Sequence, residues 1–231
     1  MHRKLKGGFT LVELLVVIVI IAALAGLAAP MVMRQRKKAD QTQALSNGRQ
    51  VGMALLDFDN EYGKFPDAST SASVATNTGT SEVTPSGNSN SYFRQLFAAG
   101  ITNSEEIFYV KTTYTIRPDN VYNQEDPTDA LAAGECGFGY ILRNATSAQS
   151  ASGNPGRPVI CAPLLEGSTT DFDPDPFDSR AVILKLDLSA VSINIDNSGK
   201  AILNGQDILQ TGSNSVWGTG GSPTIVAPEP N

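Results

Sequence analysis

The feature that most constrains this chain is an apolar run from Phe9 to Met33, in which Thr10 and Glu13 are the only polar side chains. As a helix, the run measures roughly 37 Å, which is enough to cross a hydrocarbon core of about 30 Å. A carboxylate at that depth costs on the order of 2.5 to 3.5 kcal/mol to insert. The sequence therefore predicts a membrane helix in which Glu13 needs a cationic partner.

No basic side chain lies within a turn or two of Glu13, but a cut after Gly8 would create an amine on Phe9, four residues before it. The segment GFTLVE, followed by the apolar run, resembles the class III signal of type IV pilins and type II secretion pseudopilins. The resemblance implies cleavage between Gly8 and Phe9 by a prepilin peptidase and N-methylation of Phe9. It also implies that Glu13 pairs with the terminal amine of an adjacent subunit.

The resemblance covers residues 3 to 38 most closely and extends to about Pro66. Pro30 lies where many pilins have a helix-kinking proline, and the carbonyl that it would free belongs to Gly26, which is small enough to let helices approach. The implied partners are this subunit itself, other pilin-like subunits, the peptidase, an inner-membrane assembly platform and, before assembly, membrane lipid. The implied location is the bacterial inner membrane, as a single pass with a cytoplasmic N-terminus and a periplasmic head, and then the filament.

Two other interpretations of the N-terminal region compete. Ala23-Leu24-Ala25 is an A-x-A site after a basic segment, as in a secretory signal, and a plain single-span anchor is the second alternative. Basic residues flank both ends of the apolar run, so the positive-inside rule does not choose an orientation. The cytoplasmic N-terminus is thus an implication of the family alone.

Charge and histidine content restrict the function. After Lys38 there are 10 Lys and Arg against 22 Asp and Glu, and such an acidic surface repels nucleic acid. The only histidine is His2, inside the leader, so the mature chain would lack every histidine-based catalytic or metal site. No phosphate-binding glycine motif is present either. We therefore expect no enzyme and no nucleic-acid partner.

The helix is predicted to continue from the membrane run to about Glu61 and to stop at Gly63, before Pro66. Apolar residues recur at three- and four-residue steps from Leu45 to Tyr62, so one face packs on a head domain. The alternative is a separate helix after a hinge at Ser46-Asn47-Gly48. The predicted organisation is leader 1–8, filament-core helix 9–33, helix continuation and exit 34–66, Ser/Thr-rich loop 67–91, head 92–210 and flexible tail 211–231.

The head is predicted to be α+β, with the long helix packed on a small antiparallel sheet in a pilin-like lollipop. Tyr92 to Gly100 resembles a short amphipathic helix. Short β-branched and aromatic runs between turn residues predict strands over residues 107–116, 138–142, 158–162, 181–188, 191–195 and 200–203. The last three favour a meander. The segment 67–91 is almost wholly small and polar, which predicts a mobile surface loop.

Two features of the head are candidate sites. Cys136 and Cys161 are the only cysteines, and an oxidising compartment would allow a disulfide between them, the alternative being two small buried hydrophobes. Alternating acids at Asp171, Asp173, Asp175 and Asp178 are ligands of the kind that calcium prefers, although they do not follow the EF-hand pattern. No other cofactor is expected, and a solvated acidic turn is the alternative.

These observations lead to one functional hypothesis, a structural subunit of a pilus-like filament. The helix exit over residues 61–66, EYGKFP, is similar to that of the major pseudopilins, which favours a type II secretion pseudopilin. The alternatives are a type IV pilin for adhesion or motility, and a single-pass membrane-anchored binding module or enzyme.

Overall fold

The structure is a computed structural model, and it describes residues 10–231. The described chain divides into two compact units, one that ends at Lys38 and one over residues 39–231, and we call the second the head unit. The helices are α1 Leu11–Tyr62, α2 Ser71–Thr78 and α3 Ser89–Ala98, with 3-10 turns at Glu105–Phe108 and Pro127–Asp129. The strands are β1 Gly139–Leu142, β2 Pro158–Ala162, β3 Arg180–Lys185, β4 Ala190–Ile195, β5 Ala201–Leu203, β6 Gln206–Asp207 and β7 Thr224–Val226.

Helix α1 is a single element, so the prediction of one helix through Ser46-Asn47-Gly48 is confirmed and the hinge alternative is not. Asn47 is buried, and its side-chain amide donates to the carbonyls of Glu106 and Tyr109 at 3.0 and 2.9 Å. The helix ends where predicted: Gly63 adopts a φ of +79°, and its N–H donates to the Asp59 carbonyl at 2.7 Å. A left-handed glycine is a common way to satisfy the last carbonyls of a helix.

The strands form one antiparallel sheet in the order β6-β5-β4-β3-β2-β1-β7. The predicted strands over 138–142, 158–162, 181–188, 191–195 and 200–203 correspond to β1 to β5. The predicted meander of the last three is confirmed as β3-β4-β5. A long helix followed by this sheet makes the head unit α+β, as expected.

Alternating side chains along the strands separate the core into two clusters, because successive residues of a strand point to opposite faces. Tyr140, Val182 and Leu184 lie in the first cluster, together with the buried residues of α1 and α3. Ile141 and Ile183 lie in the second cluster. Its other large members are Leu164, Phe172, Ile193, Ile195, Ile208, Trp217 and Ile225. Both faces of the central strands are therefore covered by protein.

The expectation of a mobile loop over residues 67–91 was wrong. The segment forms α2 and the start of α3, and Asp67, Thr70 and Ser71 are buried. Gln95 of α3 holds them together: its Nε2 donates to the Asp67 carbonyl at 2.8 Å, and its Oε1 accepts from the Thr70 hydroxyl at 2.6 Å. Polar side chains here form a satisfied buried network, so the composition did not signal disorder.

Two other expectations also need correction. Residues 107–116 form no strand: after the 3-10 turn the backbone is irregular, and Ile116 N–H donates to the Gly134 carbonyl at 2.9 Å. Residues 211–231 are not a flexible tail, because they contribute β7, which pairs with β1. Trp217 is buried as well. The Trp217 indole N–H donates to the Ile208 carbonyl at 2.7 Å.

Candidate functional site

Glu13 lies in the first turn of α1, where it forms a reciprocal cap with Thr10. The Thr10 N–H and hydroxyl both donate to Glu13 Oε2, at 2.8 and 2.7 Å. In return, the Glu13 N–H donates to Thr10 Oγ1 at 3.3 Å. This S/T-x-x-E capping box satisfies N–H groups that a helix N-terminus leaves without partners. It also holds the Glu13 carboxylate beside Thr10, the residue directly after Phe9.

The capping box leaves half of the carboxylate open. Within residues 10–231, Oε2 receives both Thr10 bonds, and no hydrogen bond is formed by Oε1. The Glu13 side chain is also exposed in the isolated chain. A fixed, half-satisfied carboxylate of this kind can accept a further charge-assisted hydrogen bond without changing its conformation.

The apolar part of α1 is uncovered in the isolated chain. The large side chains from Leu11 to Met33 are all exposed, from 47% at Val17 to 87% at Leu11. This helix is long and apolar enough to cross a membrane by length and composition. A contiguous apolar surface of this extent needs lipid or other apolar helices around it.

The remaining predicted assembly residues are placed as follows. Pro30 lies inside α1, and Gly26 is one turn earlier with open space around the position of a Cβ. An uncrowded glycine lets a second helix approach closely. Gly8 and Phe9, the predicted cleavage site, lie outside the described residues.

Comparison with known proteins agrees with this geometry. The family model described as the prokaryotic N-terminal methylation motif matches residues 3–29. The chain has a pilin-type N-terminus. The matched residues include the predicted cleavage site, the capping box and most of the apolar run.

Three relatives extend the pilin-type match beyond the motif. The type II secretion system core protein G of Aeromonas hydrophila is 38% identical over 66 residues, which is 29% of this chain and 46% of that protein. The type IV major pilin protein PilE1 of Neisseria gonorrhoeae is 35% identical over 73 residues, 32% of this chain and 44% of the relative. A fimbrial protein of Neisseria meningitidis is 34% identical over 76 residues, 33% of this chain and 45% of the relative.

The chain thus spans less than half the length of the curated relatives that it matches. Their names describe a secretion-system core protein and pilus subunits rather than enzymes. No solved structure matches the chain.

Beyond the pilin-type N-terminus, the disulfide considered for Cys136 and Cys161 is not formed. Both are free, buried thiols. They also belong to different faces of the sheet, Cys136 to the first core cluster and Cys161 to the second. Burial raises the pKa of Cys136 to about 12 and raises the pKa of Cys161 even further. They are small buried hydrophobes, which was the alternative interpretation.

The calcium site considered at residues 171–178 is likewise not assembled. Asp171 pairs with Lys200 Nζ at 2.7 Å, and this ammonium lowers the pKa of Asp171. Asp173 Oδ1 accepts the Asp175 N–H at 2.9 Å. Among residues 10–231, Asp171, Asp173, Asp175 and Asp178 do not bring three carboxylates within reach of one ion. Asp171 is thus engaged in an ion pair, and Asp173 in a local hydrogen bond, rather than in a shared metal site.

A different acidic cluster was not found by sequence reasoning. Glu105, Asp119 and Glu135 each place one carboxylate oxygen within 4.8 Å of the other two. Burial raises the pKa of Glu105, the Leu131 N–H opposes this, and the negative charges of Glu135 and Asp119 raise it again. The three residues are 14 and 16 positions apart in irregular segments, so no spacing motif could have indicated them.

Proposed function

We propose that this chain is a structural subunit of a pilus-like filament, matured by cleavage between Gly8 and Phe9 and polymerised through α1. The observation that carries the proposal is the capped Glu13 at the start of an uncovered apolar helix, within a matched methylation motif. Cleavage after Gly8 would create a cationic amine on Phe9 next to this carboxylate. The amine of a neighbouring subunit could then bind the open Oε1.

Assembly follows from two requirements of the same helix. The exposed apolar side chains from Leu11 to Met33 are stable in lipid or among other apolar helices. A carboxylate among those helices must be paired, because removing the partner of a buried charge costs several kcal/mol. Packing α1 against α1 of other subunits, in a register that places Phe9 beside Glu13, satisfies both.

Within this class we propose a type II secretion pseudopilin, held in the bacterial inner membrane with its N-terminus in the cytoplasm and its head in the periplasm before extraction. Prepilin peptidase, an assembly platform and other pilin-like subunits would be its partners. Support comes from the similarity to core protein G and from the helix exit at Gly63. A type IV pilin is the second candidate, favoured by the matches to PilE1 and the fimbrial protein.

The first test is intact-mass and N-terminal analysis of the protein from native membranes, with and without a prepilin peptidase. We expect a mature chain that begins at N-methylated Phe9 only when the peptidase is present. A chain that begins at Met1, or after Ala25, would refute the proposal in favour of an anchor or an export signal. Deletion of the gene then separates the two filaments, since loss of secreted proteins indicates a pseudopilus and loss of long surface fibres indicates a pilus.

A further inference from the structure

Three carboxylates from separate segments of the head unit converge at one place. Glu105 opens the 3-10 turn at Glu105–Phe108, Asp119 lies in the following irregular segment, and Glu135 precedes β1. One oxygen of each lies within 4.8 Å of the others. Glu105 and Glu135 are buried, at 0% and 4% exposure, whereas Asp119 is exposed. The cluster is therefore set into the surface with one side open to solvent.

Hydrogen bonds within the chain hold the cluster but do not complete it. Glu135 Oε1 accepts the Asp119 N–H at 3.1 Å, and its Oε2 accepts the Ala132 N–H at 2.7 Å. Glu105 Oε1 accepts the Leu131 N–H at 2.7 Å. Within residues 10–231, Glu105 Oε2 is buried and forms no hydrogen bond, although the Asn120 N–H, like the Leu131 N–H, opposes the rise in the pKa of this carboxyl that burial causes. Since a buried oxygen without a partner is costly and rare, this atom indicates a missing ligand.

Basic side chains of the head unit do not neutralise the cluster. Arg117 pairs instead with Glu106, at 2.8 Å. Arg94 donates from its Nε and Nη2 to the carbonyls of Ala130 and Leu131, at 2.6 and 3.2 Å, and its ion pair is with Glu229, at 3.9 Å. No Lys or Arg of residues 39–231 forms an ion pair with Glu105, Asp119 or Glu135. Three converging acids without a paired cation remain.

We propose that Glu105, Asp119 and Glu135 bind a hard divalent cation, specifically calcium. Calcium takes oxygen ligands at about 2.3 to 2.6 Å, so two of its ligands can be up to about 5 Å apart, which the three carboxylates satisfy. The ion supplies the partner that Glu105 Oε2 lacks and neutralises two of the three negative charges. Water on the open side of Asp119 completes the coordination, because calcium accepts irregular geometry more readily than magnesium does.

Bound calcium would join three segments that no strand connects. The segments containing Glu105, Asp119 and Glu135 lie between α3 and β1, where the backbone is largely irregular. An ion that binds only the folded arrangement stabilises it by mass action. The site belongs to the head unit and does not depend on filament assembly, so it goes beyond the proposed function.

The test is a calcium titration of the full-length chain, purified in detergent and stripped with EDTA, by isothermal calorimetry and thermal unfolding. We expect one saturable site and a higher unfolding temperature with calcium than with EDTA or an equal concentration of magnesium. Asp119→Asn should weaken calcium binding by at least about tenfold, because it removes a charged ligand. Since Asp119 is exposed, this variant should fold normally in EDTA.

The matched control is Asp175→Asn, an equally exposed acid in the segment 171–178, which should bind calcium as the native chain does. Equal loss of binding in Asp175→Asn and Asp119→Asn would overturn the assignment. So would the absence of saturable calcium binding in the native chain. If a proton rather than a metal satisfies Glu105, then calcium should have no effect and Glu105→Gln should be at least as stable as the native chain. That result would also overturn the proposal.

Discussion

Gly52 of α1 lies so close to Leu184 of β3 that a Cβ added at Gly52 would be 2.6 Å from Leu184 Cδ2. The other Leu184 methyl and Leu188 Cδ2 would both be 3.2 Å away. Leu184 is 1% exposed, so its side chain cannot move aside without repacking the core. This contact requires glycine on α1 where the helix crosses the sheet.

We therefore predict that Gly52→Ala destabilises the head by up to about 2.5 kcal/mol. Overpacking costs about 1 to 3 kcal/mol, and the higher helix propensity of alanine offsets about 0.5 to 1 kcal/mol of that. Gly48→Ala is the matched control one turn away, where a Cβ would lie 3.7 Å from Phe138, an ordinary contact. Gly48→Ala should be neutral or stabilising. Thermal unfolding of both variants in detergent checks the pair, and equal effects would contradict the packing argument.

Asp67 gives a prediction about acid stability. Burial raises its pKa, but hydrogen bonds from Ser69, Lys64 and the Ala148 N–H outweigh this and leave the pKa below its ordinary value. A carboxyl whose pKa is depressed by folding stabilises the head above the unfolded value of about 3.9, and that contribution is lost as the pH falls further. Asp67→Asn should therefore cost about 1 to 3 kcal/mol at pH 7.

The cost of Asp67→Asn should begin to shrink as the pH falls below about 4, where the unfolded carboxyl takes up a proton, and it should shrink further as the pH falls through the lower pKa of the folded carboxyl. Unfolding of the variant and the native chain at pH 7, 5 and 3.5 measures this difference. Asp175→Asn serves as the control, since Asp175 is exposed and lies outside this network. A cost that is constant across the three pH values would mean that the charge of Asp67 is not what stabilises the network.

The burial of Cys136 and Cys161 predicts how slowly these thiols react with an alkylating reagent. Because Cys136 and Cys161 are fully buried and their pKa values are raised, both should resist iodoacetamide in the folded chain. At a pKa of about 12, the thiolate fraction of Cys136 is about a thousandfold below that of an ordinary cysteine. Denaturation without a reductant should then allow two labels per chain, as read by mass spectrometry. No label after denaturation would indicate a disulfide.

Thr10 and Glu13 give a prediction about assembly. Glu13→Gln should leave the head folded but reduce filament formation strongly, because a neutral amide cannot pair with the amine of Phe9. Thr10→Val should have a smaller effect, because it removes the hydroxyl bond to Oε2 but keeps the Thr10 N–H bond and the charge. Electron microscopy and shearing assays of filaments measure both effects. Normal filaments from Glu13→Gln would refute the pairing of Glu13 with the terminal amine.

The sequence was informative where the determining interactions are local. The bounds of β2 were predicted without error because Pro158 to Ala162 is a continuous apolar run, as expected for a strand buried on both faces. The end of α1 was predicted from Gly63 and Pro66 alone. The capping box of Thr10 and Glu13 is also a local pattern, T-x-x-E, which the sequence alone could have predicted.

Prediction failed where distant residues decide the structure. Residues 107–116 have strand-like composition, but two of their hydrogen-bonding partners lie far away in the chain and in no strand. Asn47 of α1 donates to the Tyr109 carbonyl at 2.9 Å, and the Ile116 N–H donates to the Gly134 carbonyl at 2.9 Å. The small polar residues after Asp67 are ordered by Gln95, which is 28 positions further on. The cluster of Glu105, Asp119 and Glu135 was not predicted for the same reason, since only the folded chain brings its members together.

The pairing of β7 with β1 affects the order in which this head can be made. Tyr140 and Val226 are partners in the sheet, although 85 residues separate them in the chain. As a chain grows from its N-terminus, β1 can pair with β2 early, but its other edge stays open until residues 224–226 have been synthesised. An open edge can pair with a strand of another chain. Until then, the growing head exposes an unpaired strand edge, and deletion of residues 224–226 would make that exposure permanent.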